Sequence, residues 1–308
     1  MEGKWRWILL TAIAPVAWGA NYYAISRFLP DVGPLWGATL RALPAGLLLL
    51  ALARTLPRGV WWWRAAVLGV LNVGAFFLLI HLAAQLLPSS VAAVIMATSP
   101  VGMMLLAWAL VSERPVVAQL ASAALGIGGV VIMLAGADGA IHLGGVAASL
   151  GAMTMSSLGF VLAKRWNSGQ QRANALTTSA WQLTAGGLLV LPLAALLEPF
   201  PSVTGRTLVG LAWVSGVATA LAYVVWFQGL RRLTAGQVGL IGLLNPVAGV
   251  VTGTLLAAEV LTLRQAIGIA LVLVGVVVGQ RTAPAPRPAA GTAPRPTESG
   301  RAVALATD

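Results

Sequence analysis

Cysteine is absent from the 308 residues, so disulfides, thiol nucleophiles and thiolate metal sites are excluded at once. Charge is nearly as scarce: Asp, Glu, Lys and Arg make up 9% of the chain, against about 25% in a soluble globular protein. Acids are scarcest of all. There are eight, and all of them (Glu2, Asp31, Glu113, Asp138, Glu198, Glu259, Glu298 and Asp308) fall in loops, at segment ends or in the C-terminal stretch. Histidine occurs twice, at His81 and His142. Hydrolysis or group transfer needs a carboxylate pair, a metal cluster or a nucleophile with its base. The nearest constellation, Ser89 and Ser90 beside His81, has no orienting acid, so we expect neither an enzyme nor a resident cofactor or metal. The formal charge of +11 does not indicate nucleic acid, because the cations lie between apolar runs.

What is abundant is apolar sequence. The chain is 58% hydrophobic with a mean hydropathy of +0.88. It divides into ten apolar segments, near 7–28, 34–53, 63–86, 90–111, 116–136, 142–164, 174–197, 207–230, 235–257 and 262–280. Each is about 20 residues, the length that spans a ~30 Å hydrocarbon core. The first has the basic flank of a signal peptide. It continues through Trp18, Asn21, Tyr22 and Tyr23 without a small-residue cleavage site, which predicts an uncleaved spanning helix. Residues 281–308 are rich in Pro, Ala and Arg and are expected to be a disordered tail.

Ten spans place both termini on one side. That side receives Lys4, Arg6, Arg54, Arg58, Arg64, Arg114, Lys164, Arg165, Arg172, Arg231, Arg232 and the four tail arginines, whereas the other receives Arg27, Arg206 and Arg264. The asymmetry predicts cytoplasmic termini. The polar punctuation also repeats at an offset of 146: Pro100 meets Pro246, Glu113 meets Glu259, Gln119 meets Gln265 and Gly129 meets Gly275. Weaker echoes join GANYYAISR (from Gly19) to SLGFVLAKR (from Ser157), and RALPAGLLLL (from Arg41) to QLTAGGLLVL (from Gln182). Five helices is an odd number, so the second half, 142–280, is expected to be inverted relative to the first, 5–136. Repeated spanning pairs with one proline-interrupted member are the pattern of secondary transporters.

These features resemble the EamA family of the drug/metabolite transporter superfamily: two five-helix halves, the start at Trp18 and Gly19, Arg41 in the second segment, and the Pro–Glu–Gln pattern of each half. The abundance of tryptophan is most similar to the YddG-type exporters of aromatic amino acids. The resemblance covers residues 5 to 280. It implies an all-α bundle of ten transmembrane helices in the bacterial cytoplasmic (inner) membrane, with a central cavity lined by helices 1, 3, 4, 6, 8 and 9 and buttressed by helices 5 and 10. It also implies a small-molecule cargo, an amino acid, in a lipid bilayer. The oligomeric state is left open, a monomer fitting this reading.

Several residues then stand out. Arg41 is the charge in mid-span, either a grip on a substrate carboxylate or a structural tie to carbonyls freed by Pro44. His81 is either a hydrogen bond between helices or a proton-sensitive cavity wall. Asn72, Asn21, Gln182 and Asn245 are polar at mid-depth, as interhelical glue or as substrate contacts. Ser99 and Asn245 precede Pro100 and Pro246, whose rings remove a backbone donor. The two prolines are the expected hinge, and their neighbours the expected substrate contacts. Of the deep aromatics, Trp18, Tyr22, Trp108, Trp181, Tyr223 and Trp226 are candidates to line the cavity, where rings stack on an aromatic or large apolar cargo. Without a buried carboxylate, facilitative export of a neutral zwitterion is simpler than proton antiport. The alternative is an exporter of drugs or other small metabolites, with a proton coupled through His81. Phosphorylated cargo would call for several buried cations, and Arg41 is the one at hand.

Overall fold

The computed structural model describes residues 2–87, 89–135, 142–167, 173–256 and 260–282; the side chains of Glu2, Tyr22, His81, Ala84, Gln85, Ser89 and Ser90 lie outside that description. Every element in it is helical. In chain order the rods are α1 (Glu2–Phe28), α2 (Pro34–Ala53), α3 (Trp61–Gly69, Val70–Gly74 and Ala75–Leu86), α4 (Ser89–Ala97 and Ser99–Val111) and α5 (Val117–Leu134). There follow α6 (Leu143–Trp166), α7 (Ala175–Leu197), α8 (Gly205–Leu211, Ala212–Leu221 and Ala222–Arg232), α9 (Ala235–Gly242 and Leu244–Leu256) and α10 (Leu263–Thr282). Among the described residues, the nine rods from α2 to α10 are long and apolar enough to cross a membrane. α1, at 27 residues, stands outside that set. It starts at Glu2, earlier than the segment predicted at residue 7, so Lys4 and Arg6 ride on its first turns.

The apolar faces decide the packing, since helices in lipid associate through close contact and small residues. The most extensive contacts join α5 to α10 and α2 to α7, followed by α1 with α9 and α8, and α6 with α3 and α4. At the α5–α10 crossing the backbones nearly touch. A Cβ on Gly129 would sit 2.7 Å from the Gly268 carbonyl oxygen, and one on Gly268 would sit 2.6 Å from that of Gly129. The expected buttress pair therefore rests on reciprocal glycines.

Two kinds of irregularity interrupt the rods. In α4 and α9 a non-helical step, at Thr98 and at Leu243, separates two half-helices. Pro100 and Pro246 fall in the first turn of the second half, where a missing N–H is tolerated. The second irregularity carries no sequence signal. α3 widens to a π-helix over Val70–Gly74 and α8 over Ala212–Leu221, a geometry often found at functional sites.

Polar ties close the ends. Glu113 and Lys164 form an ion pair at 2.6 Å, with Glu113 also accepting from the Ala235 backbone N–H at the start of α9. At the opposite end of the bundle Glu198 accepts from the backbone N–H groups of Leu35 and Trp36 at the start of α2. A carboxylate at a helix N-terminus satisfies unpaired donors and faces the positive end of the helix dipole.

Candidate functional site

The two π-helical segments anchor the interior. Widening a helix strands carbonyls, and buried carbonyls need donors. The Tyr223 hydroxyl donates to the Asn72 backbone oxygen at 2.9 Å. In α8 the Trp18 indole N–H donates to the Ala218 backbone oxygen, also at 2.9 Å. Asn72 and Ala218 are one repeat offset apart. Side chains from α2 and α7 brace the same segments. Gln182 accepts from the Asn72 side-chain amide at 2.8 Å. The Arg41 guanidinium donates to the Thr219 hydroxyl at 3.1 Å and lies 4.8 Å from the Phe77 ring centroid. Thr219 in turn donates to the Val214 carbonyl at 2.7 Å.

Around these braces an aromatic lattice fills the core. Trp226 has Trp18 on one side (5.1 Å between ring centroids) and Phe160 on the other (5.4 Å). Phe227 and Tyr223 extend it, with centroids 5.9 Å apart. Edge and tilted contacts of this kind contribute about 0.5–1.5 kcal/mol each beyond area burial. α1 is drawn against α9 by Gly19, where an added Cβ would lie 2.3 Å from the Asn245 backbone oxygen. Three polar atoms at this α1–α8–α9 junction are buried without a hydrogen-bond partner among the described residues: Asn21 Oδ1, Asn245 Oδ1 and Trp226 Nε1.

The structure thus brings together Trp18, Asn72, Tyr223, Trp226, Arg41 and, at the α9 step, Asn245 with Pro246. It places other candidates elsewhere. Trp181 donates its N–H to the Thr55 carbonyl at 2.8 Å and packs on Trp61 at 5.4 Å, closing the loop after α2. Trp108 is 52% exposed on α4. Pro100 packs where α4 meets α9, close to Gly239, and Ser99 is half-buried beside it. The side chains of His81 and Tyr22 lie outside the described set. Sequence reasoning missed Phe160, whose clue was its register with Tyr22 in the GANYY/SLGFV echo. It also left Thr219 and Gln182 without the brace roles they play. Among the described residues, the rings of Trp18, Phe160, Tyr223, Trp226 and Phe227 pack against one another where the cavity is expected. A shallow apolar groove of about 580 Å³ lies along Trp5, Arg6, Leu9, Leu10 and Ile13 on α1.

Apolar rods, two of them broken beside proline, with polar groups gathered against the breaks, define a membrane transporter by class. Residues 5–135 and 143–278 match the EamA-like transporter family, and the chain belongs to it. Protein PecM of Dickeya dadantii (strain 3937) is 35% identical over 269 residues, 87% of this chain and 90% of that protein. A "probable amino-acid metabolite efflux pump" of Salmonella typhimurium is 26% identical over 286 residues, covering 87% of this chain and 93% of its own. A solved crystal structure superposes with a TM-score of 0.79 at 22% identity, covering 89% of this chain and 98% of that one, a likeness of fold.

Proposed function

We propose that this transporter exports amino acids, aromatic ones preferred, across the bacterial inner membrane by facilitated alternating access. The observation that carries the proposal is the aromatic junction of α1, α8 and α9: a ring-lined interior with unpaired amide groups and no carboxylate among its described members. Rings suit an aromatic side chain, and amides suit a zwitterion whose charges cancel. The efflux-pump names of the Salmonella relative and of a 24% identical Escherichia coli relative point to the same cargo class.

Two inverted five-helix repeats, 5–136 and 142–280, with both termini cytoplasmic and α1 a tenth span, complete the proposal. The packing supports it. α5–α10 and α2–α7 each map onto themselves when every helix is exchanged for the one five places away, and α1–α9 maps onto α6–α4. The π-segments and the half-helix steps recur at matching positions. Rocking of the halves would bend α4 and α9 at Thr98–Pro100 and Leu243–Pro246.

Counterflow in proteoliposomes tests this. Vesicles loaded with unlabelled tryptophan, phenylalanine or threonine should take up the labelled amino acid saturably, most strongly for the aromatic ones, and an imposed pH gradient should leave the rate unchanged. Absence of counterflow for every amino acid would redirect the reading to drugs or other small metabolites. Gradient-driven accumulation would establish proton coupling and make His81 the first residue to mutate.

A further inference from the structure

The tryptophan N–H groups show a contrast. Those of Trp18, Trp36 and Trp181 donate to the carbonyls of Ala218, Glu198 and Thr55. Trp226 is 2% exposed, deeper than any of these, and its N–H has no partner among the described residues. A buried tryptophan ordinarily finds one, because an unmet donor in a low-dielectric interior is destabilising. The ring edge of Trp226 lies against Gly242, 3.5 Å from where a Cβ would stand. That is one residue before the step at Leu243 and two before the half-helix Leu244–Leu256.

Two acceptors share the junction. Asn21 is 6% exposed, and α1 makes its substantial contacts with α8 and α9 alone, so its unpaired Oδ1 is enclosed by those helices. Asn245, the second residue of the half-helix, also holds a buried and unpaired Oδ1. The repeat-related junction of α3, α4 and α6 lacks that tryptophan donor and that asparagine. Trp226 corresponds to Ile80 and Asn21 to Gly159, and Gly159 is covered by the Asn72 side chain.

We propose that this junction is an oriented zwitterion site, in which the Trp226 N–H receives the cargo's carboxylate while the Oδ1 atoms of Asn21 and Asn245 receive its ammonium. The site rests on the amino-acid reading above and sharpens it: the cargo must carry both groups, and one of two repeat-related junctions fixes its direction. Arg41 is not the carboxylate grip here, since its guanidinium is engaged by Thr219 and Phe77.

Binding to the full chain in nanodiscs tests the assignment with three probes: L-phenylalanine, 3-phenylpropanoate (no ammonium) and 2-phenylethylamine (no carboxylate). Trp226→Phe should weaken phenylalanine and phenylpropanoate about ten- to a hundredfold, the range for losing a hydrogen bond to a charged group, and leave phenylethylamine unchanged. N245A should weaken phenylalanine and phenylethylamine and spare phenylpropanoate. Should Trp226→Phe lower thermal stability, 3-benzothienylalanine at position 226 keeps the ring shape and removes the donor alone. Wild-type binding of phenylalanine that either change at 226 leaves intact, or a loss shared equally by all three probes, overturns this site and leaves the amino-acid reading standing. Failure of the wild type to bind any probe overturns both.

Discussion

The π-helical segments of α3 and α8 occupy matching places in the chain and are braced by different chemistry. In α3 the brace is neutral: one amide, Gln182, meets another, Asn72, and both are essentially inaccessible. In α8 the brace is a cation, Arg41, held by a hydroxyl and a ring face. Arg41 and Gln182 are the first residues of the RALPAG and QLTAGG echoes, so matching positions of the two stretches brace the two segments. The difference shows which part of the interior tolerates charge. An exposed edge and a polarisable ring can accommodate a guanidinium, and weak hydration makes that group the easiest cation to bury. A sealed amide pair offers no such outlet.

Exchanging the two braces breaks the comparison most sharply. Q182R places a full charge beside the Asn72 amide at a fully buried position with no acid among its described partners. An uncompensated buried charge destabilises by about 3–5 kcal/mol, so Q182R should lose most of its thermal stability in detergent. If instead Q182R melts like the wild type, the α3 segment is as permissive as α8, and the distinction between them disappears.

Next in size come the donors that satisfy the stranded carbonyls. Tyr223→Phe leaves the Asn72 oxygen unpaired and Trp18→Phe does the same to the Ala218 oxygen, each costing about 1–3 kcal/mol. The two losses should agree to within about 0.5 kcal/mol and add in the double mutant if the sites are independent. Trp18 and Tyr223 also touch through their rings, at 6.2 Å, so a double mutant less damaging than the sum would mean that the two clamps operate as one.

What could be read in advance follows the same division. The apolar spans from α2 to α10 were legible because a long apolar run needs no tertiary context to be recognised. Arg41, Asn72, Tyr223, Trp18 and Trp226 were visible as polar or aromatic residues at depth, and the structure does gather them. The π-segments were not legible, since LNVG and VATA contain nothing that distinguishes a wide turn from a regular one. Without them Gln182 could be assigned only as glue or a substrate contact. The partners of Trp181 were hidden for a related reason. Its depth along α7 matches a cavity residue, and only tertiary packing shows that α7 turns it toward Thr55 and Trp61.

The smallest expected effect is the reciprocal exchange, R41Q, which converts the α8 brace to the chemistry of the α3 brace. The amide keeps a donor for Thr219 and gives up the ring contact with Phe77, a cation–π term of about 0.5–2 kcal/mol. It also removes the penalty of holding a cation inside the bundle, which acts in the opposite direction. The two contributions are of similar size and opposite sign, so thermal stability should move by less than about 1 kcal/mol. Transport should persist as well, because the proposed site places the carboxylate at Trp226 and not at Arg41. If R41Q folds normally and counterflow is abolished, the arginine belongs to the cargo after all, and the asymmetry between the two braces is functional before it is structural.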